Sequence, residues 1–391
     1  MALNDYLKSE SFKFIILLGI VSLLADMTYE GARSITGPYL ALLGASGTVV
    51  GIVAGFGELL GYALRLVSGY INDKTGRYWL MTIVGYAVNL LAVPLLALTG
   101  RWEVAAALMI SERIGKAVRT PSRDAMLSHA TKEIGRGWGF GLHEAMDQIG
   151  AMLGPFVVAI VFYFKGGYKA SFALLLIPAL LALGVLLIAR YIYPRPKEME
   201  PASLNLDTKD FSRIFWIYLA ASALVAAGYV DFPLIAYHFK KVAIASDNWI
   251  PIFYCLAMGI DALAALLFGR LFDLKGVSIL AVAIFVSLFF APLVFLGGFY
   301  SSLLGMLLWG IGMGAQESIM RAAVAKMASA NKRGTAYGVF NAGYGLFWFL
   351  GSAVMGKLYD ISVPMLIIFS VIAQLTSIPL FVMTKNALRV R

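Results

Sequence analysis

Cysteine is almost missing from this chain. Cys255 is the only one in 391 residues, so neither an internal disulfide nor a thiolate metal cluster can form. Histidine is nearly as scarce, with 3 residues. Charge is low at 14%, against about 25% in soluble globular chains. Ten-residue segments of alternating polarity are absent, which excludes a β-barrel. The longest polar interval is too short for a soluble output domain, which argues against a solute sensor. G-x-S-x-G, a Walker loop and a complete metal triad are all lacking, so the chain is not expected to be an enzyme or to need a cofactor.

What is present is apolar. Hydrophobic residues make up 60% of the chain and the mean hydropathy is +0.80. The runs are mostly long enough to cross a hydrocarbon core of about 30 Å as helices. The expected class is an all-α integral membrane protein. A hydropathy reading gives twelve spans, near residues 12–40, 48–71, 79–99, 102–121, 138–164, 170–192, 213–238, 249–271, 277–297, 299–320, 336–358 and 362–384. The first run is too long for a signal-peptide core and is read as the first transmembrane helix. The interval Tyr193 to Ser212, with Pro194, Pro196 and Pro201, reads as a linker between two six-helix bundles, 1–192 and 213–391.

The formal charge of +10 is not a nucleic-acid signal here, because excess Lys and Arg in a membrane chain first reports orientation. With the N-terminus inside, only Arg101, Lys165, Lys169, Lys240, Lys241 and Lys357 fall outside, and Arg33, Arg65 and Arg113 fall within spans. Every other basic residue lies at the inner ends and loops. Both termini are therefore expected in the cytoplasm, in a cell (plasma or inner) membrane.

The chain is built twice. The loop Gly69, Asp73, Lys74, Gly76, Arg77 after the second span returns as Gly269, Asp273, Lys275, Gly276 after the eighth, with the spacing G-x-x-x-D-x-x-G in both. Arg136 to Gly141, entering the fifth span, matches Arg333 to Gly338 entering the eleventh, and Gly154 corresponds to Gly351. These are parallel repeats of six helices.

The first loop resembles the G-x-x-x-D-[RK]-x-G-R signature of the major facilitator superfamily. Gly150, Gly154 and Pro155 resemble its fifth-helix G-x-x-x-G-P signature, which in that family goes with antiporters. Phe156, Val157 and Val158 stand where further glycines usually follow, and Val277 replaces the arginine in the second loop. The resemblance covers the whole chain and is strongest to twelve-helix drug:proton antiporter-like members. It implies two pseudo-symmetric six-helix bundles, alternating access, a monomer, and a central cavity lined by helices one, four, seven and ten. Arg113 followed by Gly115 resembles the fourth-helix basic signature linked to proton coupling.

The residues themselves support these parts. Gly69 is read as a close approach of helix two to a neighbour, Asp73 as an acceptor at a helix N-terminus, and Lys74 and Arg77 as anchors to an anionic leaflet. Together they form a candidate latch, with a well-capped turn as the plainer reading. Gly150 and Gly154 lie one turn apart with Pro155 beside them, either a flexible interface or ordinary tight packing.

Ionisable groups inside spans cost about 2.5–3.5 kcal/mol each near the centre and are candidate functional residues. They are Asp26, Glu30 and Arg33 on helix one, Glu58 and Arg65 on two, Glu112 and Arg113 on four, His143, Glu144 and Asp147 on five, Asp231 on seven, Asp261 on eight and Glu317 on ten. The acids outnumber the bases, which favours a cationic substrate over an anion. Asp26 and Glu30 are the expected cation and proton sites, with Glu112 and Arg113 as the coupling pair. Structural ion pairing is the competing account of each. His143 and Asp147 share a helix face a metal can use, without an identifiable third ligand. Pro121 is expected to end helix four, leaving Arg119 and Arg123 at the inner mouth.

The reading is a secondary transporter, most simply a proton-coupled antiporter exporting a cationic or lipophilic molecule, as in multidrug efflux. Its partners are the substrate, protons and the lipid bilayer. A divalent metal exporter and a carrier of an organic acid are the alternatives.

Overall fold

The computed structural model describes residues 10–134, 136–194, 211–327 and 333–388. Most of the expected linker falls outside them, as do the side chains of Asp73, Arg136 and Arg333. The described residues form helices and no strand. In chain order they are α1 (Glu10–Leu42), α2 (Gly47–Thr75), α3 (Tyr78–Leu95), α4 (Trp102–Ile134), α5 (Arg136–Tyr163) and α6 (Gly167–Leu174 with Leu176–Ile192). The second set is α7 (Arg213–Gly228 with Phe232–Lys241), α8 (Trp249–Lys275), α9 (Ser278–Ser287 with Phe290–Leu296), α10 (Phe299–Met327), α11 (Arg333–Ile361) and α12 (Val363–Leu388).

Ten of these are long and apolar enough to cross a membrane. The other two are α4, which carries a ladder of charged residues, and α10, whose apolar residues are diluted by four glycines, Gln316 and Glu317. The twelve spans read from hydropathy each coincide with one helix.

Packing divides the chain into two compact units. Unit 1 is Met1–Arg33 with Leu64–Ala202, and unit 2 is Ser34–Ala63 with Ser203–Arg391. The last quarter of α1 and the first half of α2 thus pack with the later helices.

The repeat seen in the sequence reappears in local geometry. Gly76 and Gly276 both take a positive φ, +63° and +70°, a conformation glycine adopts without a steric penalty. Each donates its N–H to the carbonyl four residues back, on Asn72 and on Phe272, at 2.8 Å in both cases. These are positive-φ glycines closing the helix at the same place in the two copies. The fifth-helix correspondence holds too. A Cβ on Gly154 would strike the Met27 carbonyl oxygen of α1, and one on Gly351 would strike the Ala227 carbonyl oxygen of α7. The fifth helix of each repeat therefore meets the first helix of its own repeat backbone to backbone.

Within unit 2, α2 runs against α11 along Gly47, Gly51 and Gly55, spaced one turn apart. A Cβ on Gly51 would lie 3.0 Å from the Gly356 Cα, and one on Gly55 would lie 3.0 Å from the Phe349 Cα. Small residues let the two backbones touch without intervening side chains.

Helix α7 is broken where the hydropathy reading drew one span. Pro233 has no N–H to give to a preceding turn and so stands in the first turn of the second segment, while Tyr229 and Asp231 are extended. The freed carbonyls are used by side chains. Gly228 accepts from the Ser370 hydroxyl at 2.6 Å and the Gln374 amide at 3.3 Å. Val230 accepts from the Trp309 indole at 3.0 Å. Buried backbone groups away from water need such partners.

Candidate functional site

The residues singled out from the sequence fall into two groups, one in each unit. In unit 1, helices α1, α3, α4 and α5 bring together a dense charged cluster. Asp26 accepts a hydrogen bond from the Tyr29 hydroxyl one turn on. Glu30 Oε1 lies 4.0 Å from Arg33 and 3.9 Å from the Lys116 ammonium, which also sits 3.9 Å above the Tyr29 ring. Glu112 lies 3.3 Å from Arg113 Nε. The Asn89 amide of α3 fixes the Glu112 carboxylate at 2.7 Å and its carbonyl oxygen at 3.1 Å. Arg123 binds Asp124 at 2.8 Å and the Ser22 hydroxyl of α1 at 3.0 Å, with Asp147 at 3.8 Å.

Three expectations are corrected here. Pro121 does not end helix four; it lies inside α4, which continues to Ile134. Proline is tolerated in membrane helices because neighbouring groups re-satisfy the backbone. Arg119, just before Pro121, and Arg123, in the continuing turns, both lie in the interior rather than at a helix end. Arg119 is only 1% exposed, its guanidinium 4.2 Å from the Tyr86 ring centre. With Lys116, these bases balance the carboxylates of unit 1, so the acidic surplus counted from the sequence does not hold there. Gly69 is also not a close approach, since a Cβ on it would meet Pro121 of α4 at 3.6 Å, an ordinary contact.

The remaining residues of interest in the loops and on α5 are placed as follows. Lys74, Arg77 and Asp273 are exposed, as is Glu144, while the Asp73 side chain is outside the described residues. Gly269 meets Ser318 at 3.8 Å. Gly150 and Gly154 face α1 directly. A Cβ on Gly150 would strike the Leu23 carbonyl oxygen and come within 3.1 Å of the Asp26 Cβ. Pro155 lies within α5, which runs on to Tyr163. His143 Nε2 stands 3.8 Å from Asp147 Oδ1. Among the described residues, no group of three His, Cys, Asp or Glu side chains gathers to hold a metal ion.

Unit 2 holds a small open cleft between α2, α10 and α11. Glu317 lines it with Gln316, Tyr62, Tyr344, Phe340 and Trp348. The Phe340 and Tyr344 rings stack at 5.8 Å and an interplanar angle of 18°, and Tyr62 meets Tyr344 edge-on at 5.7 Å. The Tyr344 hydroxyl donates to Gln316 Oε1 at 3.0 Å. The Trp348 indole donates to Asp231 at 3.4 Å, so the buried Asp231 supports the aromatic wall. Of this cleft, sequence reasoning found only Glu317 and Asp231. The aromatic residues carried no distinguishing signal in helices rich in Phe, Tyr and Trp.

The chain was compared with known proteins. The Major Facilitator Superfamily profile matches residues 18–385. An uncharacterized protein of Mycobacterium tuberculosis is 40% identical over 375 residues, covering 94% of this chain and 92% of the relative. An uncharacterized MFS-type transporter of Methanocaldococcus jannaschii is 28% identical, covering 96% and 95%. Among solved structures, the nucleoside transporter NupG is similar with a TM-score of 0.72 at 14–15% identity; in its D323A mutant it covers 96% of this chain and 99% of its own. A POT family transporter in complex with 5-aminolevulinic acid gives 0.77 at 12% identity, covering 94% of each chain. At those identities the structures speak for the fold alone. The profile match, which takes in nearly the whole sequence, together with the relatives, makes this chain a multi-pass membrane protein of the Major Facilitator Superfamily, a family of secondary transporters.

Proposed function

We propose that the chain works by alternating access between its two six-helix halves, 1–192 and 213–391, and exchanges protons for a cationic or lipophilic small molecule. The observation that carries this reading is the cleft of unit 2, where the Glu317 carboxylate sits among Tyr62, Phe340, Tyr344 and Trp348. Aromatic faces attract a desolvated cation by about 0.5–2 kcal/mol each, and an acidic group beside them sets the sign of charge. Apolar walls with a few fixed polar groups suit small ligands.

Protons are bound in unit 1. Asp26 takes one, and Glu30 trades its hold on Lys116 and Arg33 as its own charge changes. Glu112 and Arg113 pass that change along α4. The loop of Gly69, Asp73, Lys74, Gly76 and Arg77, with its counterpart at Gly269 and Asp273, latches the cytoplasmic side. Gly150, Gly154 and Pro155 let α5 slide on α1. The carrier acts as a monomer with both termini in the cytoplasm of a cell membrane.

A second reading, export or uptake of an organic acid, is favoured by Arg119. It is buried, and its Nε and one terminal nitrogen have no hydrogen-bond partner among the protein groups, which suits an incoming carboxylate.

The test is transport in proteoliposomes loaded with a pH-sensitive dye. Lipophilic cations should move the internal pH in the wild type and fail to do so in Asp26→Asn. A response to organic acids alone would replace the cation reading with the second one. A response to divalent metals alone would overturn both.

A further inference from the structure

We propose that His143 is the proton relay of this carrier, delivering protons to Asp147 on the same helix. The proposal rests on the proton-coupled reading above and adds a residue and a route to it.

His143 is 3% exposed, and neither ring nitrogen has a hydrogen-bond partner among the protein groups. A buried imidazole that serves packing or orientation normally gives its N–H to a carbonyl or carboxylate. This one does not. Its nearest acid is Asp147, one turn along α5, whose Oδ1 is also without a hydrogen-bond partner and lies 3.8 Å from Nε2. Two buried atoms that each lack a hydrogen-bond partner, Nε2 and Oδ1, thus face one another, while the Asp147 carboxylate as a whole is held by Ser22 and Arg123.

The charges around them are arranged to keep Asp147 available. Arg123 of α4 is held by Asp124 at 2.8 Å and by Ser22 at 3.0 Å. It approaches the other oxygen of Asp147, Oδ2, at 3.8 Å. Arg119, Arg123 and Asp124 face His143 from α4, and Glu144 and Asp147 from α5. Arg123 therefore engages Oδ2 and leaves Oδ1 to the imidazole. Glu144, beside His143, is exposed and marks the outer end of the route. Further along α5, a Cβ on Gly150 would come within 3.1 Å of the Asp26 Cβ, so Asp26 lies just across the α1–α5 contact.

The step is a proton hop. A proton entering past Glu144 adds to Nδ1 of the neutral imidazole, the Nε2 proton passes to Asp147 Oδ1, and the ring is left neutral in its other tautomer. The 3.8 Å gap must close by about 1 Å to reach hydrogen-bond distance, a shift within reach of side-chain rotation. Reversal of the hop restores the starting tautomer, whereas a ring flip turns the new Nδ1–H toward Asp147 for the next transfer.

The test separates coupled transport from substrate-for-substrate counterflow, which moves no net proton. Wild-type protein is measured first, because the absence of any substrate-driven pH change would sink the proton-coupled reading itself, whatever His143 does. Given coupling, His143→Gln should slow it by about tenfold or more and flatten its pH profile, with counterflow unchanged. Asp147→Asn should do the same, and the double variant should be no slower than the slower single. Wild-type coupling in His143→Gln would overturn the relay. So would an equal loss of counterflow, which marks a structural role, or losses that multiply in the double variant, which mark independent roles.

Discussion

Asp360, at the end of α11, caps the first turn of α2 through Thr48. Its carboxylate accepts from the Thr48 N–H at 2.7 Å, the Thr48 hydroxyl at 2.7 Å and the Gly47 N–H at 2.9 Å. The first N–H groups of a helix have no partner within it, and a carboxylate there also meets the positive end of the helix dipole. Here the cap comes from a residue 312 positions away, so it ties two helices together as well as finishing one.

Removing that cap should loosen α2 locally. Asp360→Ala is expected to speed amide exchange across Gly47 to Val50 by about tenfold, the equivalent of ~1.4 kcal/mol. Asp360→Asn, which keeps one acceptor oxygen, should fall between the two. Hydrogen–deuterium exchange followed by mass spectrometry reads this directly, and unchanged exchange in Asp360→Ala would show that the cap holds nothing.

The glycines of the fifth-helix signature and of the loop should respond differently. Gly154→Ala places a Cβ against the Met27 carbonyl oxygen, and backbone cannot yield as a side chain does. A loss of roughly 1–3 kcal/mol in stability is expected, in line with overpacking. Gly69→Ala meets only Pro121 at 3.6 Å and should stay within about 0.5 kcal/mol of the parent. Thermal unfolding in detergent distinguishes the two, and equal effects would refute the packing argument.

Lys116 and Glu30 should be energetically coupled. Lys116 stands 3.9 Å from Glu30 and from the centre of the Tyr29 ring, all away from bulk water. Lys116→Gln alone leaves the Glu30 pair with Arg33 at 4.0 Å in place. A double-mutant cycle with Glu30→Gln should return a coupling of about 0.5–3 kcal/mol. Additive losses would mean the two groups do not sense one another.

The cleft of unit 2 should discriminate by charge. Glu317→Gln is expected to weaken binding of a lipophilic cation about tenfold while leaving a neutral ligand of the same shape unaffected. Tyr344→Leu should weaken both, because it removes the ring held between Phe340 and Tyr62. Scintillation proximity or tryptophan quenching gives the affinities. An equal loss for both ligands in Glu317→Gln would remove the carboxylate from the recognition site.

The helices were legible because a bilayer imposes one simple demand, a run of apolar residues of fixed length, and every expected span found its helix. The breaks were less so. Pro233 could have signalled the interruption of α7, yet the surrounding hydropathy runs straight through it. Pro121 misled in the opposite sense, since proline in α4 leaves the helix intact. Charged residues such as Asp26, Glu30, Glu112 and Arg113 stood out against their apolar surroundings and do lie in one cluster with Lys116. Their balance of charge was misjudged because Lys116, Arg119 and Arg123 were assigned to the inner end of helix four, whereas they pack among the acids. The aromatic wall of Tyr62, Phe340, Tyr344 and Trp348 had no sequence signal, because a ring that lines a cleft is chemically the same as one that faces a neighbouring helix. Gly47, Gly51 and Gly55, by contrast, were readable in principle from their four-residue spacing.

That glycine seam between α2 and α11 bears on how often the two helices can be parted. A contact made of interlocking Leu or Phe side chains must find its rotamers again each time it re-forms, and each ordered side chain costs conformational entropy. Where Gly51 rests on Gly356 and Gly55 on Phe349 Cα, parting the helices would break the Asp360 hydrogen bonds to Gly47 and Thr48 but ask few side chains to find new rotamers. The seam is thus like a zip fastener with smooth teeth and one clasp: most of it can meet again in one register without a search.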